Sequence, residues 1–148
     1  MKPINVSARF RQPPDAAWDF IFADRLRRVA AASKMLEVEG YELRRDGTPR
    51  YTMVMKAGPL RIRSVSDYFV YDRPKKTVNR VIGGLFDDGT AYVDFHPQGG
   101  ETRVDMRIEP APANLRTKLT LALLRPVLEL MLAAELRRWA SAAGRSRQ

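Results

Sequence analysis

The chain has 148 residues, 45% hydrophobic and 29% charged, with 9 Gly and 10 Pro, the profile of one folded domain long enough to bury a core without staples. It has no cysteine and a single histidine, His96, which excludes thiol catalysis, Cys-ligated zinc and iron–sulfur clusters and leaves a His-based metal site or a Ser-His-Asp triad without partners. The formal charge of +9 is carried mostly by arginines spread along the chain, not gathered in one tract, so it favours anionic partners without naming one.

Met1-Lys2-Pro3-Ile4-Asn5 lacks the apolar core of a signal peptide, and a cytoplasmic location is expected. Ile4, Val6, Ala8 and Phe10 alternate with polar residues and predict a first strand with one buried face. Pro13-Pro14-Asp15 stops it and opens a helix whose apolar positions are Ala17, Trp18, Phe20 and Ile21. A second short helix is expected over residues 24–32, with Leu26, Val29 and Ala30 inward and Arg25, Arg27 and Arg28 toward water or a mouth.

From Leu36 to Glu109 the period changes to two, and turn signals recur at Arg45-Asp46-Gly47, Ala57-Gly58-Pro59, Asp72-Arg73-Pro74, Gly83-Gly84 and Pro97-Gln98-Gly99-Gly100. Six more strands fit between them, with spacings too short for crossover helices, so the sheet is expected to be an antiparallel meander. In the last strand Thr102, Val104, Met106 and Ile108 face one way and Arg103, Asp105, Arg107 and Glu109 the other. Asn114 is placed to cap a long helix running through Leu119, Leu123, Val127, Leu130 and Ala134 to a polar end near Gly144, with Pro126 kinking or dividing it. Leu124, Leu128, Met131 and Leu132 widen the apolar arc, which predicts burial over much of the circumference. Residues 119–134 contain Arg125, Pro126 and Glu129 and fall short of a membrane span. A single domain over residues 1–144 is expected, followed by a flexible basic tail over 145–148.

The order of one strand, two short helices, six strands and a long C-terminal helix is an α+β plan in which a curved sheet closes over a helix. Together with Pro14-Asp15-Ala16-Ala17-Trp18-Asp19-Phe20-Ile21, Gly58-Pro59-Leu60 and Gly99-Gly100-Glu101-Thr102-Arg103-Val104, it resembles the START-like (SRPBCC) superfamily over nearly the whole chain. That superfamily includes polyketide cyclase/dehydrase-like proteins, coenzyme-Q-binding proteins, an accessory protein of carbon monoxide dehydrogenase and birch-pollen-allergen-like carriers. The resemblance implies a helix-grip fold, a curved seven-stranded antiparallel sheet around the C-terminal helix, with a cavity between them used mostly for apolar ligands; no metal or other cofactor is expected.

Placed on that plan, Val104, Met106, Val93, Phe95, Tyr51, Met53, Met55, Ser66 and Tyr68 line the cavity from the sheet, with Ala91 and Ile62 beside them. Leu123, Val127 and Leu130 line it from the helix. Taken singly, such side chains also make ordinary core, and the methionines would suit a flexible ligand such as a quinone, lipid or polyketide. Arg80 stays open: Val78 and Ile82 share its strand face, so it either points inward to a ligand oxyanion or to Asp67, or is solvated with Asn79 and Val81 facing in.

Three functions follow from different features. The first is binding of a small hydrophobic ligand. The second is cyclase/dehydratase chemistry without metal or nucleotide, for which Arg80, Tyr68, Tyr51 and Asp67 are the candidate proton-handling groups; Asp67 and Tyr68 would need a bulge to face the same way. The third is contact with RNA, a ribosome or an anionic membrane through the basic surface, including Arg137, Arg138, Arg145 and Arg147. By strand parity His96 lies outside the cavity, and Asp87-Asp88-Gly89 reads as a turn. Arg25, Arg27, Arg28 and Lys34 read as a solvated face or an entrance, and Trp18 and Trp139 as structural anchors.

Overall fold

The structure, a computed structural model, describes residues 2–145. Strand β1 (Ile4–Phe10) is followed by helix α1 (Pro14–Phe22), a 3-10 turn (Asp24–Leu26) and helix α2 (Arg27–Ala32). Six strands then run in succession: β2 (Leu36–Leu43), β3 (Pro49–Ala57), β4 (Leu60–Asp72), β5 (Lys76–Ile82), β6 (Thr90–Gln98) and β7 (Glu101–Glu109). Helix α3 (Leu115–Arg145) closes the fold. The sheet is antiparallel throughout, in the order β1-β7-β6-β5-β4-β3-β2. A meander thus accounts for every pairing except that of β1, which returns beside β7 and leaves β1 and β2 as the two edges. Helix α3 packs along β1.

Local chemistry explains most element ends. Pro14 occupies the first turn of α1, where its missing N–H would have no partner in any case. Asn114 Oδ1 accepts the Thr117 N–H at 2.9 Å, the side-chain cap expected at the start of α3. Gly89 is required by crowding, since a Cβ there would lie 2.8 Å from the Phe86 carbonyl and 2.9 Å from that of Glu109.

Two expectations need correction. Residues 24–32 do not form one helix: Asp24, Arg25 and Leu26 all have positive φ, and α2 starts only at Arg27. This left-handed turn swings Leu26 inward, where it is buried, so burial of the leucine opposes the backbone cost. Of the two outcomes open at Pro126, division does not occur, and helix α3 ends at Arg145, beside the expected Gly144. Residues 146–148, the rest of the expected tail, including Arg147, lie outside the described residues.

The second correction concerns which face of α3 is buried. Leu121, Leu128, Leu132, Leu136, Trp139 and Ala143 meet the sheet, whereas Leu119, Leu123, Val127 and Leu130 are more than half exposed. At 100° per residue the two sets lie on opposite sides of the helix. A helix apolar on both sides offers two stripes of similar spacing, and only the sheet decides between them.

The main core includes Phe10, Trp18, Phe22, Tyr68, Phe95, Val104 and Leu136. Trp18 contacts Phe22, Tyr71 and Phe95 at ring-centroid distances of 4.7, 4.9 and 5.3 Å, which locks α1 under the sheet. A second cluster of Ile4, Phe86, Ile108, Leu121, Leu128 and Leu132 closes the other end.

Candidate functional site

Between these clusters the packing leaves a cavity of about 150 Å³. The sheet supplies Tyr51, Met53 and Met55 from β3, Ser64, Ser66 and Tyr68 from β4, Asn79 and Val81 from β5, Ala91 and Val93 from β6, and Met106 and Ile108 from β7. The opposite wall is Ile21 and Phe22 of α1, Leu26 and Val29 around α2, and Leu132, Glu135, Leu136 and Trp139 of α3. Side-chain alternation along paired strands places the sheet residues together: Met53 sits opposite Ser64, Tyr51 opposite Ser66, Tyr68 opposite Asn79, and Val93 opposite Met106.

Of the candidates read from the sequence, Tyr51, Met53, Met55, Ser66, Tyr68, Val93 and Met106 line this space. Phe95 and Val104 face the same side but are absorbed into the packed core, Phe95 against Trp18. Leu123, Val127 and Leu130 stand on the far side of α3, outside the cavity. Ile62 is half-buried and also outside the cavity wall. Arg80 is solvated and pairs with Asp88 at 2.9 Å, because the register that sets Asn79 between Tyr68 and Ala91 turns Arg80 outward. Asp67 lies on the outer face as well, with Arg44 at 2.6 Å and Arg50 at 3.5 Å. A bulge does occur in β4, but after Tyr68, so it brings Tyr71 and not Asp67 to the inner side. His96 is outside and meets Asp105 at 3.0 Å. Asp87 and Asp88 belong to a turn, where Asp87 accepts the Gly83 N–H at 2.6 Å.

The cavity has two polar stations. On the sheet side the Tyr51 and Tyr68 hydroxyls are 2.6 Å apart, and Ser66 bonds to Tyr51. Burial pushes both phenols above their ordinary range, so both stay protonated at neutral pH. Two hydroxyls hold two protons, and one proton suffices to bridge them. The other is available to Ser66 or to a molecule in the cavity. The Arg44 guanidinium braces this strand from outside by donating to the Tyr68 carbonyl.

On the helix side stands Glu135, 1% exposed. Its Oε1 accepts the Lys34 backbone N–H at 3.2 Å, and its Oε2 is buried without a hydrogen-bond partner. Nearby, the Trp139 Nε1–H donates to Ser33 Oγ at 2.8 Å, and Ser33 donates in turn to the Val29 carbonyl, tying α3 to the end of α2. Sequence reasoning missed Glu135 because it followed the wrong stripe of α3. On the correct one, Glu135 follows Leu128 by seven residues and Leu132 by three and precedes Trp139 by four, a carboxylate in a buried row. No group of acidic or histidine side chains among the described residues is arranged to hold a metal ion. No helix among them is long and apolar enough to cross a membrane.

No family model and no curated protein matches the chain. Solved structures do. TTHA0849 from Thermus thermophilus superposes with a TM-score of 0.81 at 17% identity over 99% of this chain and 100% of that one. The di-domain ARO/CYC StfQ of the steffimycin biosynthetic pathway matches with a TM-score of 0.69 at 16% identity, over 98% of this chain and 52% of its own. Ara h 8.0201 matches with a TM-score of 0.62 at 7% identity, over 96% and 97% of the two chains. At such identities the likeness is one of fold.

Proposed function

From a START-like helix-grip fold enclosing an apolar cavity, we propose that the protein binds one compact, largely apolar molecule between its sheet and α3. The observation that carries this reading is a space of about 150 Å³ left open amid a fully packed core. A cavity of about that size accommodates a benzene ring, so a ring-sized molecule or a ring-sized part of a larger one fits it. Met53, Met55 and Met106 on the wall adapt their shape at low cost. The likeness to StfQ and Ara h 8.0201 agrees with a fold that hosts such sites.

The cyclase/dehydratase alternative retains Tyr51 and Tyr68 but loses Arg80 and Asp67 to the outer face. Two protonated phenols are hydrogen-bond donors at neutral pH, suited to orienting a carbonyl and unsuited to abstracting a proton.

Native mass spectrometry of freshly purified protein, followed by organic extraction, tests the binding reading. A stoichiometric apolar adduct is expected. Val93→Trp, which fills the cavity from β6, should abolish the adduct while the circular dichroism spectrum stays unchanged. An adduct that persists in a folded Val93→Trp protein would place the ligand elsewhere.

A further inference from the structure

Glu135 is a costly residue to keep where it stands. One carboxyl oxygen serves the fold by accepting the Lys34 N–H, but the other is buried without a partner in an apolar wall, at a cost in free energy that no contact within the fold offsets. Leucine at the same place would extend the buried row of Leu128, Leu132 and Leu136. The free oxygen belongs to a side chain that lines the cavity. Across from the helix wall, the Tyr51–Tyr68 pair offers a hydroxyl, so the space has an acceptor on the helix side and a donor on the sheet side.

Building on the cavity reading, we infer that the bound molecule carries a hydrogen-bond donor, a hydroxyl or an amine on a compact ring, which Glu135 receives through its free oxygen. A purely apolar ring would fill the same volume and leave the carboxyl unsatisfied. A donor-bearing ring satisfies it with a hydrogen bond inside the apolar wall.

Calorimetric titration with four ring-sized probes tests this: 4-methylphenol and benzylamine carry donors, while toluene and 4-methylanisole do not. The wild-type protein should bind the first two about tenfold more tightly than the second two, the scale of one buried hydrogen bond. Glu135→Leu should bring 4-methylphenol and benzylamine down to the level of toluene and leave toluene itself unchanged. Glu135→Gln, which keeps the shape and an acceptor, covers the case in which the leucine variant fails to fold. A donor preference that Gln keeps for the phenol marks a neutral hydroxyl ligand, and one that it loses for the amine marks a cationic one. Equal affinity for all four probes, or a preference that survives Glu135→Leu, overturns this inference and leaves the cavity reading standing. If none of the four binds the wild-type protein, both readings fall.

A second inference rests on a different face. Leu115, Leu119, Leu123, Val127 and Leu130 are 53–81% exposed. At 100° per residue they occupy about a third of the circumference of α3, opposite the buried row. Arg116 and Arg137 fall on the same arc, and the neighbouring acid, Glu129, is held by Arg125 at 2.9 Å. A second copy of the chain would bring another +9 against these cations with no free carboxylate on the arc to meet them. An anionic bilayer satisfies both features, taking the leucines below its headgroups and the arginines at its surface.

We propose that α3 rests on such a surface by this outer face. Flotation with vesicles of phosphatidylcholine, with and without phosphatidylserine, should show binding only to the anionic ones, weakened by salt. Leu119→Ser combined with Leu123→Ser should abolish it without changing the melting temperature, since both side chains face water. Absence of binding to anionic vesicles overturns the proposal. So does a dimer in sedimentation equilibrium that the same substitutions dissociate, or salt-sensitive RNA retention that they leave intact.

Discussion

Two phenols of the cavity, Tyr51 and Tyr68, and a third packed against them, Tyr71, link the site to stability through their ionisation. Burial raises Tyr51, Tyr68 and Tyr71 above the ordinary value of 10.0, with neighbouring phenols adding to the effect for Tyr68 and Tyr71. A raised folded-state value means the neutral form is favoured by folding. The associated stability is therefore complete below the unfolded value of about 10 and is lost as pH rises through the folded values. Denaturation midpoints should hold flat from neutral pH to about 10 and then fall, with the phenolate absorbance of these three residues appearing together with unfolding. Ionisation of all five tyrosines in the still-folded protein would contradict the burial of these three. The hydroxyl pair itself is open to a double-mutant cycle. Tyr51→Phe and Tyr68→Phe should couple by about 1 kcal/mol, the net worth of a buried hydrogen bond. Of these residues, the inward facing of Tyr51 and Tyr68 is legible from strand alternation, whereas that of Tyr71 depends on a bulge that no local residue signal announces.

At the scale of elements, the turn between α1 and α2 is the least economical part of the chain. Three consecutive residues other than glycine hold φ between 55° and 62°. Each such residue costs about 1–2 kcal/mol relative to a right-handed conformation. Arg25 is exposed, so Arg25→Gly should relieve that cost and raise stability by about 1 kcal/mol, read as a higher denaturant midpoint with an unchanged slope. Leu26 is different, because its side chain forms part of the cavity wall, and there glycine should lose more than it gains. At the start of α3, Asn114→Ala removes the cap on Thr117 and should cost about 1 kcal/mol by the same measurement. Strand ends are readable because turn residues and alternation agree at each of them. The left-handed turn is not, since Asp24-Arg25-Leu26 contains neither glycine nor asparagine and its conformation is imposed by packing.

For the molecule as a whole, strand count, the antiparallel meander from β2 to β7 and the long last helix are legible, because alternating segments with short links admit few other arrangements, whereas the return of β1 beside β7 is set by closure of the sheet. The site is legible on the sheet and not on the helix. Alternation has two phases, and a single burial pattern such as that of β7 fixes the rest through register. A helix with apolar residues on both flanks has no such anchor, and the choice of stripe displaces Leu123, Val127 and Leu130 and conceals Glu135. One consequence of the sheet order concerns what the protein avoids. Strand β2 ends the sheet without a neighbour, and an unpaired strand is a template for another chain. In a sequence poor in acids, that edge carries Glu37, Glu39 and Glu42, and its register breaks between Glu39 and Glu42, at positive-φ Gly40. Glu37 pairs with Lys56 at 3.0 Å and Glu39 with Arg63 at 3.6 Å, so two such edges brought together would have to desolvate paired charges along an irregular rail. Replacing Glu39 and Glu42 with valine should therefore leave the monomer folded yet shorten its lifetime on warming, with light scattering rising at lower temperature. The few acids of a basic protein thus act as sentries against its own kind.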